Sequence, residues 1–459
     1  MSRTACSSRR AAWPKLTAIV LFVLLSFAVL VRSQTESYTS AEARLGERLF
    51  HDDRFSSPAG DLMNSCSSCH LFDEDPQGIR ARSDFFSRSW VPFRIEDPRR
   101  DALRNAQTIF DAALMPRLHY DGEFTSLEDL VKGTISGRPM GWLEGEQEQA
   151  LSRVRDVVLK DAATNNRQSY RSQFKSVYSV EVESLSRDEL FNLVAKAMSA
   201  FMRPIKSERS TPYDRFIAVN KLEGAPAAAE DPKSFGKRTL ARLAALEAKR
   251  EIKLPSGFDA AALRGFKIFL ATDGASSVGN CVLCHAPPLF TDFLFHNIGI
   301  SQSEYDQVHG RGSFSALEIP SAAMAVRPSR QFRETPVAGK VGWADLGYWN
   351  FADLRKSPDR KANESDDEFL KRMIGTFKTP TLRNLDFSPP YMHTGGFPTI
   401  ESALGELMRL SEMARAGAVR EADEELAKIK ISEADMPALA AFLETLNEDL
   451  SRAKSAYRR

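Results

Sequence analysis

An all-α chain assembled from two copies of one helical unit is what this sequence predicts, and three observations carry that prediction. A Cys-x-x-Cys-His run occurs twice, as Cys66-Ser67-Ser68-Cys69-His70 and as Cys281-Val282-Leu283-Cys284-His285. Each run follows a short segment with Gly and Phe four apart, Leu45-Gly46-Glu47-Arg48-Leu49-Phe50 and Arg264-Gly265-Phe266-Lys267-Ile268-Phe269. That spacing sets both residues on one face of an amphipathic helix. Each run is also followed by an Arg-Asn pair (Arg104-Asn105, Arg383-Asn384) and then by a Gly-x-Phe turn. Self-similarity on this scale marks a duplicated architecture.

The first element lies at the start. Residues 16–31 form an uncharged apolar run between Lys15 and Arg32, preceded by Arg3, Arg9 and Arg10, with no acid before Glu36. A basic stretch followed by such a run is the layout of a secretory signal, and it falls slightly short of the length a spanning helix needs. Residues 1–33 are therefore expected to act as a signal peptide or an N-terminal anchor that exports the rest to the periplasm. The remaining bulk is ordinary for a folded protein, 42 % hydrophobic and 27 % charged over 459 residues. Lys and Arg number 62 against 61 Asp and Glu, so no global field recruits nucleic acid.

Next come the cysteine runs. Cys6 lies in the leader, which leaves the two pairs Cys66/Cys69 and Cys281/Cys284. In an oxidising compartment four cysteines could form two disulfides, and a C-x-x-C could be a redox dithiol or half a zinc site. The histidine that follows each pair favours covalent haem instead, since C-x-x-C-H is the attachment pattern of c-type haem. Two thiols one turn apart add to the vinyl groups on one porphyrin edge, and the adjacent imidazole, His70 or His285, ligates the iron.

The predicted units are residues 40–222 and 258–450, an N-terminal and a C-terminal cytochrome c domain. Residues 223–257 form a linker or embellishment helix, with an Ala/Lys/Arg/Glu-rich, solvated helix over 237–252. In both units a helix opens after the Gly-x-Phe turn at Thr or Ser with an early Glu (Ser126-Leu127-Glu128; Thr399-Ile400-Glu401), a capping signal. Residues 301–372, rich in Gly, Pro, Trp and Tyr, predict a long ordered loop over the second haem. The fold class is all-α: two duplicated cytochrome c-like haem domains with long loops.

Two further stretches carry a resemblance. Phe377-Lys378-Thr379-Pro380-Thr381-Leu382-Arg383-Asn384, followed by Ser388-Pro389-Pro390-Tyr391-Met392-His393-Thr394-Gly395-Gly396, is similar to the bacterial di-haem cytochrome c peroxidase/MauG family. The opening Leu45-Gly46-Glu47-Arg48-Leu49-Phe50-His51-Asp52-Asp53-Arg54-Phe55-Ser56 agrees with it. The resemblance spans roughly 40–450. It implies a first haem that meets hydrogen peroxide and a second that passes electrons from a small cytochrome c or cupredoxin. It also implies a calcium ion held by the Asn105 side chain with the Ser388 and Pro390 carbonyls, oxygen ligation suited to a hard cation. Tyr120 falls at the family's bridging aromatic, His393 at a hydrogen-bonding position near the haem edges, and Arg383 at a propionate.

The sequence departs from the family at three places. No histidine stands between His70 and His119, so the first haem is expected to be five-coordinate without reductive activation. No carboxylate aligns with the family's acid–base glutamate near Arg138-Pro139-Met140-Gly141-Trp142; Glu144 is the nearest candidate for proton transfer, and Arg138 a candidate for polarising the peroxide. The distal ligand of the second haem aligns with Leu407, which cannot coordinate, so Met408 takes that role by a one-residue shift, with Met413 a turn and a half on. His51, His296 and His309 read as structural or exposed. The expected activity is peroxide reduction. The alternatives are a MauG-like oxidase acting on aromatic residues of a partner protein, and a di-haem electron carrier without enzymatic activity.

Overall fold

The structure, a computed structural model, describes residues 40–60, 63–70, 104–165, 167–357 and 359–448. The expected leader, residues 1–33, lies outside the described residues. Among the described residues no helix is long and apolar enough to cross a membrane.

Helices dominate, as the spacing predicts. Helix α1 (Ala41–Phe50) opens on Ser40, whose hydroxyl accepts from the Ala43 amide, and buries Leu45, Gly46, Leu49 and Phe50 on one face. After the first Cys-x-x-Cys-His turn come α2 (Leu127–Ile135), α3 (Gln147–Lys160), α4 (Tyr170–Tyr178) and α5 (Arg187–Met202). Their inward faces form one apolar core drawn from residues 45–205. A second core, from residues 213–446, gathers α6 (Pro212–Val219), α7 (Pro232–Ala248), α8 (Ala260–Leu270), and, past the second motif, α11 (Ile400–Arg415) and α12 (Met436–Glu444). Both capping expectations are met locally: Ser126 accepts from the Asp129 amide, and Thr399 from that of Ser402.

One helix crossing recurs in the two cores. In α1, a Cβ on Gly46 would come within 1.8 Å of the Ala197 carbonyl oxygen of α5; in α8, one on Gly265 would come within 1.8 Å of the Ala438 carbonyl of α12. The absent side chain is what lets each pair of backbones touch. Gly46→Ala and Gly265→Ala are each expected to destabilise by about 3 kcal/mol, the upper range for overpacking, read as a lower midpoint in urea with unchanged slope.

The sequence expectation is corrected in one segment and extended in another. Helix α7 starts earlier than 237 and is not solvated all round: Phe235, Gly236, Thr239, Leu243 and Leu246 are buried, and a Cβ on Gly236 would meet the Leu270 carbonyl at 2.9 Å and Val282 of the second motif at 3.3 Å. The reason is an apolar stripe diluted by alanines, which a charge count overlooks. Residues 301–372 run from α9 (Ile300–His309) to α10 (Asp366–Arg372); between these helices the chain is mostly irregular, as expected, and packs as a third apolar cluster around Trp349, Tyr348, Leu346 and Phe332. The only strand pair among the described residues, β1 (Phe295–His296) with β2 (Phe377–Lys378), is antiparallel and ties this cluster to the second core.

Candidate functional site

The two Cys-x-x-Cys-His runs fold into the same turn. Cys66–Ser68 and Cys281–Leu283 are single 3₁₀ turns, and the following histidine amide closes back on the first cysteine carbonyl, His70 on Cys66 at 3.0 Å and His285 on Cys281 at 2.8 Å. All four thiols are free and half-buried. Burial pushes the Cys66 and Cys281 thiols up to about 12 and Cys69 to about 11. The thiols are therefore neutral, and each pair sits on one turn beside its imidazole.

The histidines fit an iron. His285 Nδ1 lies 2.9 Å from the Phe290 carbonyl, which fixes the proton on that nitrogen and leaves Nε2 as the ligating lone pair. Burial lowers the His70 pKa to about 4, with His119 adding to the effect, so this imidazole too is neutral, the state that coordinates. Covalent haem at both turns is consistent with these donor sets.

Beside the second motif lies a group that sequence reading assigned to structure or surface. His296 is forked between Asp292 (Nε2 to Oδ2, 2.8 Å) and Asp423 (Nδ1 to Oδ2, 2.6 Å). Burial opposes a charge there, but the two carboxylates outweigh it and hold the imidazole well above its ordinary pKa. It is a fixed cation in a cluster with Cys284. His51 is exposed, and His309 lies against the Tyr305 ring.

The halves meet through two matching turns. Leu118 pairs with Phe124 and Tyr391 with Phe397, enclosing His119-Tyr120-Asp121-Gly122 and Met392-His393-Thr394-Gly395. His119 and Met392 both take positive φ, 64° and 67°, so Tyr120 and His393 occupy equivalent places. Their rings face each other edge-on with centroids 6.3 Å apart, and Phe377 stacks on His393 at 3.9 Å. Tyr120 hydrogen-bonds the Asn105 side chain, and burial pushes its phenol above the ordinary value. His393 is buried, with Nε2 3.1 Å from Glu304 Oε2 and 3.7 Å from Asp345 Oδ2, and neither ring nitrogen has a hydrogen bond of good geometry. Glu304 and Asp345 were missed from sequence because each sits in a stretch with no motif around it.

A buried charge network fastens this contact. Arg104 forks onto Asp345 with Nε and Nη2, each at 2.7 Å, and reaches Asp121 with Nη1 at 2.6 Å. Arg333 reaches Glu123 at 2.8 Å. The 301–372 segment, expected over the second haem, thus sends Asp345 and Arg333 to the first half.

The remaining expected residues distribute as follows. The Asn105 amide donates to the Pro390 carbonyl at 2.5 Å, and the Asn105 backbone amide to the His393 carbonyl at 2.7 Å. The Asn105 side chain and the Pro390 carbonyl, two of the three groups expected around calcium, therefore meet. Arg383 is buried, and its guanidinium donates Nη1 and Nη2 to Asp214, each at 2.9 Å, and Nε to the Pro288 carbonyl at 2.6 Å. Sequence could not locate this bidentate pair because Asp214 lies in another helix. Arg138 begins a turn packed on the loop before Cys66, where Asn64 donates to the Pro139 carbonyl and Ser57 to that of Met140. Glu144 is corrected: its side chain is 74 % exposed, beside Arg330 on the surface. Leu407 and Met408 both pack half-buried on the core that holds Cys281, whereas the Met413 sulfur accepts from Arg409 at 2.8 Å.

Comparison with known proteins agrees with this geometry. Residues 40–221 match the family model described as di-haem cytochrome c peroxidase. Over 412 residues the chain is 24 % identical to cytochrome-c peroxidase IdrP1 of Denitromonas iodatirespirans, covering 89 % of this chain and 82 % of that one. Over 413 residues it is 21 % identical to methylamine utilization protein MauG of Methylophilus methylotrophus, covering 89 % and 83 %. The fold is like that of the diheme peroxidase BthA from Burkholderia thailandensis E264, with a TM-score of 0.51, 17 % identity, and 89 % and 86 % of the two chains covered. The turns, the relatives and the fold agree: residues 40–221 match the di-haem cytochrome c peroxidase family, and most of the chain is similar to cytochrome-c peroxidases and MauG.

Proposed function

We propose that this protein is a peroxidase-like oxidoreductase that reduces hydrogen peroxide with electrons from a small cytochrome c or cupredoxin in the periplasm. Two covalent haems would be held by Cys66, Cys69 and His70 in the 40–222 unit, and by Cys281, Cys284 and His285 in the 258–450 unit. When bound, the haems supply peroxide binding at one iron and electron entry at the other. Met408, rather than Leu407, completes the second site, because a thioether raises the potential that electron entry needs. Tyr120, Phe377 and His393 fill the contact between the units, and Tyr120 must release its phenolic proton whenever it carries a hole. A calcium ion would draw on the Asn105 side chain with the Pro390 and Ser388 carbonyls, once the amide turns its oxygen toward them.

The single observation that carries this reading is the pair of like turns, each with two free thiols beside a neutral imidazole. Its test is steady-state peroxide turnover with reduced cytochrome c, alongside the spin state of each ferric haem. Turnover on the order of 10 per second, the usual enzymatic range, with one high-spin haem is expected. Two low-spin haems and no reaction with peroxide would leave only an electron carrier. Slow turnover that accelerates with a partner protein would instead point to a MauG-like oxidase.

A further inference from the structure

Electron entry at the second unit calls for a site that favours its reduced state. Adding one electron makes a haem more negative by one charge, so a cation fixed beside it holds that electron more tightly. His296 is placed to be that cation. A ring nitrogen of His296, a carboxylate oxygen of Asp292 and the Cys284 sulfur all lie within 4.8 Å of one another. Cys284 is the sulfur expected to bond the porphyrin edge, so His296 stands at that edge.

The charge follows from the contacts themselves. Nε2 meets Asp292 Oδ2 at 2.8 Å and Nδ1 meets Asp423 Oδ2 at 2.6 Å. A neutral imidazole has one N–H and would set a lone pair against one of the two carboxylates; only the doubly protonated ring donates to both. Each acid is fixed in turn. Asp292 Oδ1 accepts from the Leu294 amide at 2.9 Å, and Asp423 Oδ1 from the Glu425 amide at 2.9 Å. The Asp423 amide donates to the Asn297 carbonyl at 2.9 Å, and the Glu425 carboxylate accepts from Asn280, the residue before Cys281, at 3.0 Å. Residues 423–425 thereby clamp the imidazole onto the second motif. Only 18 % of the His296 side chain is exposed, which limits screening by water. Cys284, Asp292 and His296 have the spacing of a metal set, yet carboxylates occupy both ring nitrogens, which favours a fixed charge over a bound cation.

We infer that His296, clamped between Asp292 and Asp423 at the Cys284 edge, is the fixed charge that raises the reduction potential of the second haem. This deepens the peroxidase reading and rests on it. In the step concerned one electron leaves the donor protein and takes the second haem from ferric to ferrous. No proton moves at His296, whose two N–H groups stay on their carboxylates.

A spectroelectrochemical titration of the holoprotein tests this without peroxide. It is read at about pH 8, above the ordinary range of carboxyl groups. The second haem is identified as the one altered by replacing Cys281 and Cys284 with serine. His296→Gln keeps a hydrogen-bonding side chain but removes the charge. It is expected to lower the midpoint potential of the second haem by about 59 mV, a tenfold change in a one-electron equilibrium. Asp423→Asn removes a negative charge and leaves Asp292 to hold the ring charged, so it should raise that potential by a similar amount. The first haem should not move in either variant. A merely structural role predicts one direction for both, because a loosened site admits water and lowers the potential. Shifts in the same direction, or no shift in either variant, in a protein that turns over peroxide would overturn the role of His296 and leave the peroxidase reading standing. Opposite shifts in a protein that never reacts with peroxide would overturn the peroxidase reading and keep the charge effect. A purified protein without covalent haem at Cys281 and Cys284 would overturn both.

Discussion

Replacing Cys281 and Cys284 together by serine is expected to halve the covalent haem content and to lower peroxide turnover with reduced cytochrome c on the order of a thousandfold, about 4 kcal/mol of barrier. Serine cannot form the thioether links, and His285 alone would hold its porphyrin only by the iron. The first turn, in the other core, keeps its own thiols and histidine, so one porphyrin should remain. Direct reaction of that haem with peroxide should survive, because nothing in the second motif touches Cys66 or His70 among the described contacts. Pyridine haemochrome counts, a single-turnover peroxide reaction and steady-state turnover separate the outcomes. Equal steady-state rates in the variant and the wild type would show that electrons do not enter through the second unit. Loss of both porphyrins would instead mean that the two units fold only together.

Much of this layout was legible before any coordinates, and the reason is periodicity. The Gly-to-Phe spacing in α1 and α8 placed both residues on the buried face, and the structure adds why the glycine is there: a carbonyl of α5 or α12 occupies the space of its Cβ. The Cys-x-x-Cys-His turns were equally legible, because their chemistry is local and confined to five residues. What sequence could not supply was the identity of partners far apart in the chain. Arg104 lies 241 residues from Asp345 and Arg383 lies 169 from Asp214. An arginine followed by asparagine says that a guanidinium is placed with care, but not whether a propionate or a carboxylate receives it. The misreading of Glu144 has a similar cause: nearness in sequence to Arg138 and Trp142 stood in for nearness in space.

Arg104 should be the residue on which the join between the two units depends most. It is half-buried and pairs with Asp345 from the second half and Asp121 from the first; Arg333 Nη2 is a weaker second partner to Asp121 at 3.4 Å, and His393 Nε2 lies 3.7 Å from Asp345. Arg104→Met removes one positive charge and leaves two carboxylates out of water. Breaking a buried pair in this way costs about 3–5 kcal/mol, because the remaining charge loses its compensation and not only its contact. The pH dependence should change with it. Burial alone would raise the pKa of Asp121 and Asp345, yet Arg104 outweighs it and holds both below the ordinary carboxylate value. Each therefore contributes stability that is full above the unfolded carboxylate pKa and is lost as pH falls through the depressed folded pKa. In the variant that arginine is gone, burial prevails, and both carboxyls should take up protons at higher pH than in the wild type. The wild-type advantage in urea midpoint should then be largest near neutrality and shrink under acid. Asp345→Asn in the Arg104→Met background should recover part of the loss by removing one buried charge, and a double-mutant cycle would measure the coupling. Additive effects of the two substitutions would mean that the pair does not hold the units together. In that case the Tyr120–His393–Phe377 ring contact, with the Asn105–Pro390 hydrogen bond beneath it, must carry the join.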